Sequence, residues 1–319
     1  SDVCSSDLKI YLNTDAYGNY DSGAGASNDV LCWDFAADDQ CAGFDGANKG
    51  LQINAITKDP TVPDCYWING NAAEIAAFTE AGHHSYRIAE RALSNEVITP
   101  GKTTLEEVAW WMLEELHRQN LETSFGMPSV YVTGPDGIVA TSTDRIIQRG
   151  DILMIDWGVG YLGYYTDMKR IAYVLKEGET RLPDGIANAF SQALKSRQVI
   201  METIKPNMTA QKAMDEIYAA LEKAGFARMK EFNKPGTTEK TDVMIGCHSV
   251  GDWGHGTGPS IAHFNPVQLT YQLKPTNLLS VELFAYTALP EWGGKKLRIP
   301  LEADRSEEHT SELQSRLHL

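Results

Sequence analysis

The sequence has few cysteines, no long apolar run and a shortage of positive charge. Of its 319 residues, 28 are Lys or Arg and 43 are Asp or Glu, which gives a formal net charge of −15. This acidic balance argues against non-specific binding to nucleic acid or to an anionic membrane surface. No apolar segment reaches the roughly 18 residues of a membrane-spanning helix, so we expect no membrane partner.

The five cysteines show no Cys-x-x-Cys spacing, which argues against a structural zinc site. The sequence leaves open one disulfide among Cys32, Cys41 and Cys65. Ordinary buried or surface thiols, with Cys247 among them, are the simpler interpretation.

Both ends of the chain look foreign to the protein. The stretch "RSEEHTSELQS" (305–315) back-translates into a common short-read sequencing adaptor, and "SDVCSSDL" (1–8) resembles its opposite strand. We therefore interpret residues 1–8 and 305–319 as adaptor read-through and leave them out of the fold prediction. The natural ends are then missing, so we favour a cytoplasmic location and leave export through a signal peptide open.

The remaining chain changes character at Ala72. Residues 9–71 are rich in Asp, Asn and Gly, and we interpret them as the remnant of an N-terminal domain or an irregular extension. From Ala72 onward, apolar residues recur at helical spacing, and two predicted helices are followed by strand-like runs. This order occurs twice, which predicts one domain over 72–304 with halves of about 72–180 and 181–304.

A short repeat supports two related halves. The segments "ITPGKT" (98–103) and "IKPNMT" (204–209) share the pattern I-x-P-[G/N]-x-T. We predict that each proline ends one helix and that Thr103 and Thr209 cap the next, with Thr103 and Glu106 forming a capping box. Two similar helix–loop–helix units arising by chance are the alternative to a duplicated α+β fold.

Two aspartates flank a predicted β-hairpin, "DILMIDWGVGYLGYYTD". A tight turn at Tyr161 and Leu162 would place Asp156 directly opposite Asp167, with Cβ atoms roughly 4.5–5.5 Å apart. Ionised carboxylates at that separation repel each other in a partly buried sheet. The sequence therefore predicts compensation by a shared proton, an arginine or metal ions.

Other ligand-type residues follow downstream. The window "HSVGDWGHGTGPSIAH" carries His248, His255 and His263, while Glu282 lies in the apolar run "LLSVELFAY" and Glu302 follows "LRIPL". Four carboxylates and an imidazole suit two divalent ions of the manganese, iron, cobalt or zinc type. Two such ions would neutralise the aspartate pair and activate a bridging water.

The run "IDWGVGYLGYYTD", then "HGTG", a strand glutamate and a last glutamate after "RI" together resemble the pita-bread metallopeptidases. That group includes methionine aminopeptidase, aminopeptidase P, prolidase and the metal-free creatinase, and the resemblance covers Ala72 to Asp304. It implies an α+β pita-bread fold with pseudo-twofold halves. It also implies that two divalent ions are bound by five residues: Asp156, Asp167, His255, Glu282 and Glu302.

The resemblance further implies a peptide substrate, hydrolysed at its N-terminal bond by a hydroxide held between the two ions. Glu282 would assist proton transfer, and His248 and His263 would contact the substrate or the transition state. The extra N-terminal residues favour the aminopeptidase P or prolidase branch, and hence a preference for proline at the second position. A second copy of the chain, as a homodimer, stays open as a partner.

The sequence departs from this family at three places. No histidine stands in "ATSTDR" (140–145), Gly251 stands where a histidine is usual, and Pro300 takes the place of the family's last glutamate. Glu302 lies two residues further on, which preserves strand parity. A hydrolase of a non-peptide amide and a non-catalytic binding domain therefore remain alternatives. We expect the helical His83, His84 and His117 to be solvated or packing residues.

Overall fold

The computed structural model describes residues 8–11, 32–35, 38–39, 72–251, 254–275 and 277–306. The chain divides into two units between Asn71 and Ala72. In the first unit, β1 (Leu8–Tyr11), β2 (Cys32–Phe35) and β3 (Asp38–Asp39) form an antiparallel sheet in that order. Cys41 and Cys65 lie outside the described residues, so the disulfide stays a prediction.

The second unit begins with two helices, α1 (Ala72–Ala92) and α2 (Leu105–Arg118). Seven strands follow them: β4 (Glu122–Thr123), β5 (Ser129–Gly134), β6 (Gly137–Val139), β7 (Ile152–Trp157), β8 (Val159–Tyr161), β9 (Tyr164–Tyr165) and β10 (Met168–Tyr173). They form the antiparallel sheet β10-β7-β5-β6 and the small sheet β4-β8-β9.

The helix pair and strands then occur a second time. Helices α3 (Asp184–Thr203) and α4 (Ala210–Lys223) precede eight strands: β11 (Ala227–Arg228), β12 (Asp242–Ile245), β13 (Cys247–Ser249), β14 (Ser260–Ile261), β15 (Leu278–Ser280), β16 (Leu283–Ala288), β17 (Lys296–Leu301) and β18 (Asp304–Ser306). These strands form the sheets β11-β12-β16-β17 and β14-β13-β15-β18. In the described part of the chain, none of the helices is long and apolar enough to cross a membrane.

Helices cover one face of the sheet that contains β7 and one face of the sheet that contains β16. On β7, Leu153, Ile155 and Trp157 are buried in one cluster with apolar side chains of α1 and α2. On β16, Leu283 and Ala285 are buried with side chains of α3 and α4. Because successive strand residues point to opposite faces, the alternate residues of these strands face away from the helices, on what we call the inner face.

Hydrogen bonds confirm the internal repeat. Gly101 (φ 81°) donates its N–H to the carbonyl of Ile147, and Asn207 (φ 64°), at the same position of the second half, donates to the carbonyl of Leu273, both at 2.7 Å. Isolated bridges then join Thr104 to Ile146 and Thr209 to Gln272. The two halves thus anchor their second helices to the same kind of loop, as a duplicated fold requires.

The predicted caps of the two helices have different outcomes. Thr209 caps α4, because its hydroxyl accepts the N–H of Lys212 at 3.2 Å. The prediction for α2 is wrong by one residue, since Thr104 and Glu107 form the capping box. Thr103 instead accepts the N–H of Thr99. The first half has one extra residue, because its cap Thr104 comes three residues after the left-handed Gly101, whereas Thr209 comes two residues after the left-handed Asn207.

Candidate metal centre

Asp156 and Asp167 share the inner face, but the predicted pairing between them is wrong. Asp156 lies opposite Lys169, and the tight turn consists of Leu162 and Gly163, both with positive φ (53° and 80°). A two-residue hairpin loop of this type needs left-handed backbone at both central positions, and Gly163 supplies one without strain. The register therefore shifts by two residues, which keeps the strand parity and leaves the aspartates as diagonal neighbours.

The two later glutamates reach the same place from the second half. Glu282 lies between β15 and β16, rather than within a strand, and Glu302 directly follows β17. Both are buried, and Glu302 is only 1% exposed. Oxygen atoms of Asp156, Asp167 and Glu302 lie within 4.8 Å of one another. Four of the predicted ligands thus converge where the two halves meet.

Lys169 lies among these carboxylates and was missed by the sequence analysis. Its Nζ is 2.7 Å from Oε1 of Glu282 and 3.3 Å from Oδ2 of Asp156, and it also contacts Oε2 of Glu302. The Lys169 side chain is 7% exposed. Alternate residues of a strand point to the same face, so the argument that grouped Asp156 with Asp167 also places Lys169 on the inner face. The sequence alone could therefore have predicted a lysine near these carboxylates.

His248 contributes an imidazole from β13. Its Nδ1 lies 3.1 Å from the carbonyl oxygen of Ser249, so the structure favours the tautomer with the proton on Nδ1. Its Nε2 then points at Oε1 of Glu302, 3.2 Å away, and at Oδ2 of Asp167, 3.6 Å away. A carbonyl partner on one ring nitrogen is the usual support of a histidine whose other nitrogen binds a metal ion.

His255 approaches from the loop after β13. Its Nε2 lies 3.2 Å from Oδ2 of Asp167, and its ring packs against the rings of His248 and Phe125 at centroid distances of 4.7 and 5.3 Å. Its side chain is 69% exposed, which places it at the solvent side of the cluster. The carboxylate of Asp167 is therefore approached by two histidines: His255, predicted as a metal ligand, and His248, predicted as a catalytic residue.

His263 lies elsewhere. It is exposed and packs edge-on against the ring of Phe264 at 5.3 Å. It belongs to none of the groups of potential ligands found among the described residues. Of the helical histidines, His83 contacts Glu80 and His84 lies 2.9 Å from Gln119, which fits a surface or packing role. The catalytic role predicted for His263 stays a prediction.

Three further side chains support the cluster. The hydroxyl of Ser280 donates to Oε1 of Glu302 at 2.7 Å, and the backbone N–H of Asp167 donates to Oδ2 of Asp304 at 3.0 Å. Arg170, whose side chain packs over the Tyr86 ring on the helix side, donates to the carbonyls of Lys169 and Glu302. These contacts fix the position at which β10 meets the end of β17.

The cluster is strongly negative for a buried site. Burial raises the pKa of Glu282 to about 7, the charge of Glu302 adds to this rise, and Lys169 opposes it. Burial and the charge of Glu302 likewise raise the pKa of Asp167 well above its usual range. Burial also acts to raise the pKa of Glu302, but Lys169 and His248 outweigh it and lower that pKa. Bound protons or further positive charge must therefore balance these carboxylates.

The donor set fits a divalent ion at Asp167, His248 and His255. The three donor atoms lie within 4.8 Å of one another. Donors of one tetrahedral ion are about 3.3 Å apart, and the two nitrogens here lie 3.2 and 3.6 Å from Oδ2 of Asp167. Within the described part of the chain, the other oxygen of Asp167, Oδ1, is buried without a hydrogen-bond partner. An oxygen and two imidazoles suit manganese, iron, cobalt or zinc.

Comparisons with known proteins agree with this fold and site. Residues 76–299 match metallopeptidase family M24. The chain is 25% identical over 219 residues to the Xaa-Pro dipeptidase of Pyrococcus furiosus, which covers 66% of this chain and 54% of that protein. This chain therefore spans about half the length of that curated relative.

Solved structures show the same fold. The X-Pro aminopeptidase of Thermotoga maritima superposes with a TM-score of 0.56 at 19% identity, covering 81% of this chain and 63% of that one. The methionine aminopeptidase of Rickettsia prowazekii superposes with a TM-score of 0.53 at 16% identity, covering 74% and 94%. The chain belongs to metallopeptidase family M24 and has the pita-bread fold predicted from its sequence.

Proposed function

We propose that this protein is a metal-dependent peptidase that hydrolyses the N-terminal bond of peptides, with proline preferred at the second position. The observation that carries the proposal is the convergence of four carboxylates and two imidazoles on the inner face, where the two halves meet. Membership of a metallopeptidase family supports it, as does similarity to an Xaa-Pro dipeptidase and an X-Pro aminopeptidase.

The residues divide the work between binding and proton transfer. Asp167, His248 and His255 would hold a divalent ion, which supplies Lewis-acid polarisation of the scissile carbonyl when bound. Glu282 accepts the proton of the attacking water, and its pKa of about 7 suits a group that gains and then returns a proton near neutral pH. The contact of His263 with the substrate or the transition state stays a prediction from the sequence.

The stretch "ATSTDR" also favours an alternative substrate. Where relatives usually carry a histidine, the hydroxyl of Thr141 exchanges hydrogen bonds with the N–H and the carbonyl of Val130, at 2.9 and 3.0 Å. This side chain is committed to the backbone of β5 and is not available to a substrate. A hydrolase of a small non-peptide amide is therefore the second candidate function.

A third candidate is a binding domain without catalysis, and the position of Lys169 favours it. An ammonium among Asp156, Glu282 and Glu302 stabilises these carboxylates without any ion. In that case the inner face would bind a peptide or a similar amide and release it unchanged.

The test is a substrate panel on the full chain, with Xaa-Pro dipeptides, Xaa-Pro-Xaa peptides, Met-Xaa peptides and small amides. We expect Xaa-Pro cleavage that a chelator abolishes and that Mn²⁺, Co²⁺ or Zn²⁺ restores. Glu282→Gln should lower kcat by about 10²–10⁴-fold, because it removes the proton acceptor. The matched control Glu239→Gln changes an exposed glutamate outside the centre and should leave kcat unchanged.

Each alternative has its own outcome in this panel. Metal-dependent turnover of the small amides, without turnover of any peptide, would support the second candidate function, a hydrolase of non-peptide amides. Binding of peptides without turnover, under every metal, would identify a binding domain. Equal loss of kcat in Glu239→Gln would contradict the role given to Glu282.

A further inference from the structure

We infer that the ammonium of Lys169 takes the place of one of the two ions predicted from the sequence, so that this centre holds a single divalent ion. Lys169 Nζ contacts oxygens of Asp156, Glu282 and Glu302, three of the five predicted ligands. Oxygens that surround an ammonium leave no room between them for a metal ion. The inference rests on metal binding in the proposed function and is independent of which bond is cleaved.

The position of Lys169 is fixed by its surroundings. Its backbone N–H donates to the carbonyl of Glu302 at 3.3 Å, and the same residue pairs with Asp156 across the β7–β10 ladder. The Nζ atom also lies 5.8 Å from the centre of the Phe284 ring, a favourable cation–π distance. Backbone and ring thus hold the ammonium within the carboxylate cluster.

The remaining donors, Asp167, His248 and His255, are arranged for one ion. His255 Nε2 lies 3.2 Å and His248 Nε2 lies 3.6 Å from Oδ2 of Asp167, whereas Lys169 Nζ contacts three other carboxylates. The two nitrogens and one oxygen of Asp167 lie within 4.8 Å of one another, which is close enough for all three to bind one ion.

Charge counting argues against a cluster without any ion, and the contacts of the ammonium decide between one ion and two. Asp156, Asp167, Glu282 and Glu302 carry four negative charges when ionised, and Lys169 offsets one of them. One divalent ion brings the positive charge to three, and a second would have to displace the ammonium from its three oxygens. The buried cluster therefore accommodates Lys169 with one ion better than Lys169 with none or with two.

The experiment counts Mn²⁺ bound to the full chain by equilibrium dialysis and elemental analysis, with electron paramagnetic resonance to detect coupling between neighbouring ions. Wild type should bind one Mn²⁺ per chain with an uncoupled signal. Lys169→Met keeps the apolar stem and removes the ammonium, so it should bind two Mn²⁺ with a coupled signal.

Lys296→Met is the matched control. Lys296 is another buried lysine, paired with Asp242 at 2.5 Å, and it belongs to none of the groups of potential ligands found in the described ranges. Its loss should cost a similar amount of stability and leave the count at one. Circular dichroism of each variant with Mn²⁺ identifies any variant that fails to fold.

Two outcomes overturn the inference. The first is a wild-type chain that binds two Mn²⁺ or none, and this result counts even if Lys169→Met does not fold. The second is a folded Lys169→Met variant that still binds only one Mn²⁺. Failure of the proposed function is distinguishable from failure of this inference. One bound Mn²⁺ without turnover would contradict the proposed peptidase activity and leave the single-ion centre intact. Turnover with two bound Mn²⁺ would contradict the single-ion centre and leave the peptidase activity intact.

Discussion

Lys169 and Glu302 contact each other twice, once through the backbone and once through their side chains. The N–H of Lys169 donates to the carbonyl of Glu302, and its ammonium contacts the carboxylate of the same residue. Lys169 belongs to the first half of the repeat and Glu302 to the second. A contact between the halves is therefore part of the candidate metal centre, so that assembly of the domain also assembles the site.

Gly246 should be intolerant of a side chain. An added Cβ would lie 2.3 Å from Oε2 of Glu282, and the N–H of Gly246 already donates to the backbone of that residue at 3.0 Å. We expect Gly246→Ala to displace the Glu282 carboxylate from Lys169 and to lower the free energy of unfolding by about 1–3 kcal/mol. Urea unfolding and turnover measure the two effects.

Gly134→Ala is the control for this substitution, because the nearest atom to its added Cβ, the carbonyl oxygen of Gly137, lies 4.0 Å away. It should change both measurements little. A Gly246→Ala variant with wild-type stability and turnover would show that the close packing against Glu282 does not matter.

The pH dependence of stability should change when Glu115 is replaced. Glu115 is 4% exposed and accepts from Arg91 at 2.6 Å and from Gln119 at 2.8 Å, and it also contacts Arg118. Burial acts to raise its pKa, but Gln119 and the two arginines outweigh it and lower that pKa in the folded state. The ionised Glu115 therefore contributes fully to the free energy of unfolding above the pKa that it has in the unfolded chain, about 4.3. This contribution is lost as the pH falls through the lower pKa that Glu115 has in the folded protein.

We expect Glu115→Gln to lower the free energy of unfolding by about 1–3 kcal/mol at pH 7. The difference from wild type should shrink as the pH falls below about 4. Urea unfolding between neutral and acidic pH measures it, with the exposed neighbour Glu114→Gln as control. A difference that grows toward low pH would have the wrong sign, and an equal effect of Glu114→Gln would exclude a specific role of the arginines.

The two capping threonines should behave alike. Thr104 accepts the N–H of Glu107 at 3.1 Å and Thr209 accepts that of Lys212 at 3.2 Å. Thr104→Ala and Thr209→Ala should each cost about 1 kcal/mol, because one N–H of the first helical turn loses its partner. Replacement by serine keeps the hydroxyl and should cost clearly less. Equal stability of the Ala and Ser variants in thermal unfolding would contradict the caps.

The sequence by itself determined much of the domain. Apolar periodicity located the helices, alternation located the main strands, and the repeated "I-x-P-x-x-T" pattern indicated the duplication, because these features depend on local geometry with a period of 3.6 or 2 residues. Strand parity also grouped Asp156 with Asp167 and correctly kept Glu302 on the inner face, since parity survives a shift of two residues.

Only the tertiary structure decided which of these side chains touch. The left-handed turn at Leu162 and Gly163 set the hairpin register and so put Lys169, rather than Asp167, opposite Asp156. The junction of the halves then brought Glu282 and Glu302 onto that ammonium, across more than a hundred residues of chain. Such contacts depend on how separate sheets meet, which no local pattern encodes, and they place a lysine among the predicted metal ligands.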